Sequence, residues 1–276
     1  MPAIWLPMAK KILELFGYSP DDGSVAARTA REQQTCPMVG GTCSKEIGSA
    51  ENRIRSGVCT IADKDGGPVV ICPIRLLVAV FGKGWGGELK VPGRPVSGRK
   101  TSGFFVDWIL ARLGADKKLT EFAALEVQTM DTIGSYRAER DAILNNRQHS
   151  GKSVGANWEN VNKRILPQLI YKGHLLEREA LCQSGLFFAC PEAVYNKIMD
   201  RLGSTLADYP LKNNSLTFVP MRLEASLTPG VPGAIEALQA KTTTVQQVQI
   251  AFSSPTNLPE AGAYERAIRA ALGERK

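Results

Sequence analysis

The chain has 276 residues, of which 43% are hydrophobic and 22% charged, enough for a full buried core in one large domain or one domain with a small appendage. No apolar run reaches the roughly 18 residues of a membrane span, so no spanning helix is expected. The 34 basic residues outnumber the 27 acidic ones, and the resulting charge of +7 leans toward a polyanionic partner such as nucleic acid.

In chain order, residues 4–17 place apolar side chains at helical spacing, and "SPDDGS" then breaks the pattern. The opening "MPAIWLPMAKKILELFG" lacks a basic leader and a small-residue cleavage site. It reads as a short amphipathic helix and not a signal peptide, so a cytoplasmic protein is expected. "SVAARTAREQQ" reads as a second helix. From Cys36 to Cys72 the chain is rich in Gly, Ser, Asp and Cys and poor in long apolar residues. Such a segment is expected to need a cross-link or a metal to become ordered. "ICPIRLLVAVF" then leads into the main core, followed by the Gly- and Pro-rich "GKGWGGELKVPGRPVSGRKTSG". "FFVDWILARL" and "EFAALEVQTM" have the length and composition of strands. "AERDAILNNR" and "NWENVNKRILPQLIYKGHLLEREA" read as helical, the second interrupted or started at Pro167. "GLFFAC" is an expected strand, "PEAVYNKIMDRLGS" a helix with proline in its first turn, "SLTFVPMRLEAS" a strand, and "PEAGAYERAIRAALGERK" a closing helix. Strands mixed with helices argue for an α/β or α+β fold.

Gly82, Gly84 and Gly87 satisfy G-x-G-x-x-G, but Pro92 and Pro95 follow too closely for the helix that a dinucleotide site requires. "SGKS" at 150–153 lacks the upstream glycine of a phosphate loop, because position 146 is Asn. Two constellations remain. Cys36, Cys43, Cys59 and Cys72 form C-x6-C-x15-C-x12-C, and two of them precede proline. Four thiolates suit a closed tetrahedral site for zinc or iron; the alternative is four ordinary cysteines, some of them buried. Cys182 and Cys190 are expected to pack as small hydrophobes.

The second constellation is Asp107 with Glu126-Val127-Gln128, which begins nineteen residues later on another expected strand. Neighbouring strands can bring the two carboxylates to one point, where they repel unless a cation joins them. Mg²⁺ takes a few carboxylate oxygens plus water and phosphate, and metal-activated water can hydrolyse a phosphodiester. The competing reading is a pair of turn or edge-strand charges. Asp131 falls on the other strand face and is expected to be structural, while Tyr136 and Arg137 suit either a phosphate contact or a solvated loop.

Asp107 followed by Glu126-x-Gln128 resembles the PD-(D/E)xK nuclease pattern, with Gln in place of Lys. Together with the four preceding cysteines and "EVQTMDTIGSYR", it resembles the NotI-type type II restriction endonucleases over most of the chain. That resemblance implies an α/β restriction-endonuclease-like (PD-(D/E)xK) core, a mixed central sheet flanked by helices, preceded by a small N-terminal four-cysteine appendage. The implied division is 1–75 for the N-terminal helices and metal-binding segment and 76–276 for the endonuclease core. Asp107 and Glu126 would hold Mg²⁺, Gln128 would orient water, and Glu88 is a candidate upstream glutamate. Cys36, Cys43, Cys59 and Cys72 would hold one structural iron or zinc. The implied partner is double-stranded DNA, cut at a GC-rich palindrome by a homodimer. Val106 stands where the pattern has proline, and the missing lysine leaves the general base open.

Basic residues supply DNA-contact candidates. Arg94, Arg99 and Lys100 precede Asp107 and suit backbone phosphates; Arg147 and Lys152 in "NNRQHSGKS" suit guanine readout. The alternative function is a non-catalytic DNA-binding protein stabilised by a four-cysteine metal site.

Overall fold

The computed structural model describes residues 12–63, 66–81, 89–91, 104–130, 132–133, 136–145, 155–203, 206–224, 227–254 and 259–273. Glu88, Arg94, Arg99, Lys100, Asp131, Arg147 and Lys152 lie outside them.

Two sheets organise the chain. The first is three-stranded and antiparallel, with β1 (Ile12–Leu15) and β7 (Pro68–Val70) on either side of β6 (Val58–Ala62). Helix α1 (Val25–Glu32) lies between β1 and β6 in sequence and is capped by Ser24, whose hydroxyl accepts from the Ala27 N–H at 3.2 Å. Two small hairpins follow it, β2 (Thr35–Cys36) with β3 (Gly41–Thr42) and β4 (Glu46–Ile47) with β5 (Ile54–Arg55).

This region corrects two expectations. The helical spacing of 4–17 fails over its described part, because Ile12–Leu15 is a strand. Four apolar-rich residues are too few to distinguish the two periods, and the tertiary setting buries both faces of β1. The 36–72 segment also buries more than its composition implies, since every residue of β6 is buried, as are Val69, Val70 and Ile71.

Burying both faces of β1 also buries a carboxylate, Glu14, with 0% exposure. Arg75 of α2 (Pro73–Phe81) answers it, donating Nη2 to Glu14 Oε1 at 2.6 Å and Nε to Oε2 at 3.3 Å, while Thr60 adds a hydroxyl at 2.8 Å. Arg75 also donates to the Gly233 carbonyl at 2.6 Å and reaches Met38 Sδ at 3.0 Å. One side chain therefore ties β1, the cysteine segment and a C-terminal loop together. Burial raises the Glu14 pKa despite Arg75, so the fold depends on keeping that partner.

The main sheet is six-stranded, mixed and curled, with helices around it. Its order is β10 (Trp108–Leu113), β11 (Leu119–Val127), β14 (Leu186–Pro191), β15 (Ser215–Leu223) and β16 (Ile235–Ala237), with β17 (Lys241–Thr244) on the other half of β15. β11, β14 and β15 run parallel; β10, β16 and β17 pair antiparallel. Short pairs β8 (Leu89–Val91) with β9 (Phe104–Val106) and β12 (Thr132–Ile133) with β13 (Gly155–Ala156) lie off this sheet.

Alternation along the strands divides the core. Ala124, Leu186, Phe188, Leu216 and Phe218 face helices α4 (Leu166–Leu176), α5 (Glu192–Leu202) and α6 (Val245–Ser253). Leu125, Val127, Ala189 and Met221 pack with Leu76 and Leu77 of α2 on the other side. The main core also takes in Ile12, Phe16, Val58 and Ile61, so apolar packing is continuous from β1 to α6. Cys182 and Cys190 are fully buried within it, as small hydrophobes would be.

The remaining helices are α3 (Arg137–Leu144) and α7 (Ala263–Ala271). The expected strands and helices from residue 104 onward are largely present, and Pro167 sits in the first turn of α4 directly after a π-helical turn at Val161–Ile165. Strand β17 and helix α6, capped by Thr244, have no counterpart among the expected elements. Among the described residues no helix is long and apolar enough to cross a membrane.

Candidate functional site

The site forms where β10 begins beside the end of β11. Trp108 is opposite Leu125, so Asp107, at the bend between β9 and β10, falls opposite Glu126. Glu126 is in phase with Ala124 and therefore faces the α4 side of the sheet. The two acids are locked by reciprocal backbone bonds. The Asp107 N–H donates to Glu126 Oε1 at 3.2 Å, and the Val127 N–H donates to Asp107 Oδ2 at 2.9 Å. The structure thus brings together the two carboxylates singled out in the sequence, although Asp107 occupies a bend and not a strand interior.

Glu126 is 8% exposed. Burial, and then the neighbouring Asp107 charge, push its pKa up from an ordinary 4.5 to about 7. A third group opposes that push. Lys172 of α4 sets its Nζ 2.6 Å from Glu126 Oε1, with both side chains mostly buried. Attraction to Lys172 and the bond from the Asp107 N–H lower the Glu126 pKa, but burial and Asp107 outweigh them.

Lys172 is not among the residues that the motif names. Its signal is a cation on the apolar stripe of a helix. Leu166, Leu169, Gly173 and Leu176 are the buried residues of α4, and Lys172 is three residues past Leu169 and four before Leu176. Gly173 sets its depth: a Cβ there would come within 2.4 Å of Val245 Cγ2, so glycine lets α4 lie against α6.

Gln128 continues the face of Glu126, just past the end of β11. Its N–H donates to the Ala189 carbonyl at 3.1 Å, which anchors the chain to β14. Its side-chain amide donates to the adjacent Thr129 carbonyl at 2.9 Å. Tyr136 is buried, and Arg137 donates to Asn52 O and Oδ1 at 3.1 and 2.8 Å. A simple solvated loop does not describe either residue.

Two acids and a lysine at one point fit a hard divalent cation, which takes one or two carboxylates and leaves its other positions to water and phosphate. A cation there would also offset the burial and the Asp107 charge that together raise Glu126. Gln128 and Lys172 are polar groups that could meet a phosphate or a water beside it.

The cysteines are a separate cluster. All four are free thiols; Cys43, Cys59 and Cys72 are buried and Cys36 half-buried. They lie close enough to alter one another. A hydrogen bond from Cys59 holds the Cys72 pKa down to about 6, against the pull of burial, and the same bond raises Cys59. Burial raises Cys36 first, with smaller contributions from Cys72 and Cys43. Four thiols, largely buried and without disulfides, have the donor chemistry that zinc or iron takes. Among the described residues, no group of three or more His, Cys, Asp or Glu side chains is placed so that it could hold a metal ion.

A cleft of about 420 Å³ is lined by Ser44, Lys45 and Cys72 of the cysteine segment and by Thr129 and Met130, next after Gln128. Lys45 donates to the Ile71 carbonyl, also of the lining, at 2.6 Å. No family model and no curated protein sequence matches this chain.

Proposed function

We propose that this chain is a Mg²⁺-dependent endonuclease of double-stranded DNA with a restriction-endonuclease-like core, acting as a homodimer at a GC-rich palindrome. The observation that carries the reading is the convergence of Asp107, Glu126 and Lys172 at one buried point on the sheet. A structural fold alone would gain little from placing two acids together and raising one of them to about 7.

Asp107 and Glu126 would hold Mg²⁺, which when bound supplies an acidified water and charge stabilisation for phosphodiester hydrolysis. The protein's own groups have distinct parts. The bonds from the Asp107 N–H to the Glu126 carboxylate and from the Val127 N–H to the Asp107 carboxylate fix the separation of the two acids. Lys172 orients the Glu126 carboxylate and brings a positive charge to the reacting phosphate, the part that lysine plays in the sequence pattern at the position held here by Gln128. Its recruitment from α4 answers the missing lysine. Gln128 is positioned to hydrogen-bond water once its amide leaves the Thr129 carbonyl. Cys36, Cys43, Cys59 and Cys72 would hold one iron or zinc ion that ties β2, β3, β6 and the start of α2 together.

The test is cleavage of sequenced phage DNA with Mg²⁺, followed by sequencing of the ends. Glu126→Ala should abolish cutting while duplex binding persists. Full cleavage by that variant would refute the assignment.

A further inference from the structure

A second concave site lies apart from the carboxylate pair, between the β4–β5 hairpin of the cysteine segment and helix α3. Its volume is about 420 Å³, and its charged lining is Arg53, Arg55, Arg137, Arg140, Glu46 and Asp141. We propose that this pocket seats a backbone phosphate of duplex DNA, so that the cysteine segment grips the nucleic acid that the carboxylate site cuts. The proposal rests on the nuclease reading for the identity of the ligand, not for the anion chemistry.

The charge count is the first argument. Four guanidiniums face two carboxylates in the lining, which leaves two positive charges in a concave, partly desolvated place. Both carboxylates are shared. Glu46 takes Arg55 at 2.7 Å and Arg53 at 3.6 Å; Asp141 takes Arg140 at 2.6 Å and Arg137 at 3.8 Å. One carboxylate cannot neutralise two guanidiniums, and each guanidinium carries five N–H donors, so the lining as a whole favours an anion.

The second argument is rigidity. Arg140 is buried and donates Nε to the Ser56 carbonyl at 2.8 Å. Arg137 is braced on Asn52 of the hairpin, so α3 and the cysteine segment are joined through the residues that line the pocket. Guanidiniums fixed in this way lose little freedom when they meet a phosphate. Arg53, with a side chain 60% exposed, is the group most able to close over a ligand. α3 begins ten residues after β11 ends at Val127, so the pocket lies on the chain that leaves the carboxylate site.

The experiment measures duplex binding by fluorescence anisotropy over a salt series, with chelator present so that nothing is cut. Arg53→Gln with Arg137→Gln should weaken binding about tenfold at low salt and lower the slope of log K against log salt by about one. Glu46→Gln removes a competing carboxylate and should strengthen binding, a direction that loss of folding cannot produce. An unchanged slope in both variants overturns the proposal. So does a pocket that responds to inorganic phosphate, seen as a raised melting temperature lost in the double variant, while the DNA slope stays the same. Wild-type protein that binds duplex DNA but never cuts it defeats the nuclease reading, and the slope alone then decides whether the pocket holds a DNA phosphate. Wild-type protein that does not bind duplex DNA defeats both.

Discussion

Replacing Glu126 with Gln should make the metal-free protein more stable at alkaline pH. The Glu126 carboxyl rises from an ordinary 4.5 to about 7 because burial and Asp107 oppose its ionisation more than Lys172 favours it. A pKa raised in the folded state contributes stability that is fully present below the unfolded value and is lost as pH climbs through the folded one. The loss therefore falls between about pH 4.5 and 7, and at about 1.4 kcal/mol per pH unit it approaches roughly 3 kcal/mol. Glutamine imitates the protonated acid and does not titrate. The lost attraction to Lys172 is already contained in the raised pKa, so the gain at about pH 8.5 should approach the same roughly 3 kcal/mol. Urea unfolding of both proteins in chelator, at about pH 5 and about pH 8.5, measures it as a difference of differences. Wild type should lose stability between the two conditions by more than Glu126→Gln does. With Mg²⁺ at the higher pH, wild type should recover the deficit and the variant should not. Parallel pH profiles for the two proteins would refute the claim that Glu126 is a strained, desolvated acid. A profile that differs but ignores Mg²⁺ would refute its role as a cation ligand.

Other outcomes follow from the same geometry. Lys172→Met should lower cleavage on the order of 100-fold with duplex binding kept, and a rate within a fewfold of wild type would remove Lys172 from the site. Gly173→Ala forces a Cβ to within 2.4 Å of Val245 and should cost about 1–3 kcal/mol, recovered by Val245→Ala; no loss in melting temperature would refute the close α4–α6 contact. Arg75→Met strands the buried Glu14 carboxylate and should cost about 3–5 kcal/mol in urea unfolding, most of it restored when Glu14→Leu is added. Elemental analysis should find one iron or zinc per chain, and stripping it, or Cys43→Ser, should lower the melting temperature by roughly 10 °C or more. Metal-free chains that melt like the purified protein would leave the cysteines as ordinary buried thiols.

Elements that carry their own local signal were legible along the chain. Apolar strand-length runs marked β10, β11, β14 and β15, and Ser24, Pro167 and Pro191 marked helix starts through capping and fixed φ. Spacing raised the pairing of Asp107 with Glu126 beside an edge-strand reading of the same two charges, and the register of β10 on β11 decided between them. What depends on partners distant in sequence was settled by folding. Ile12–Leu15 became a strand because β6 offered it an edge and Arg75, sixty-one residues beyond Glu14, neutralised a buried acid. Lys172 reached Glu126 only because the parallel β11–β14 crossover lays α4 across that face and Gly173 lets the helix lie close against α6. Spacing along the chain encodes which face a residue takes, but not which helix will cover that face. The Lys172–Glu126 pair was therefore invisible in the spacing and visible only as a contact.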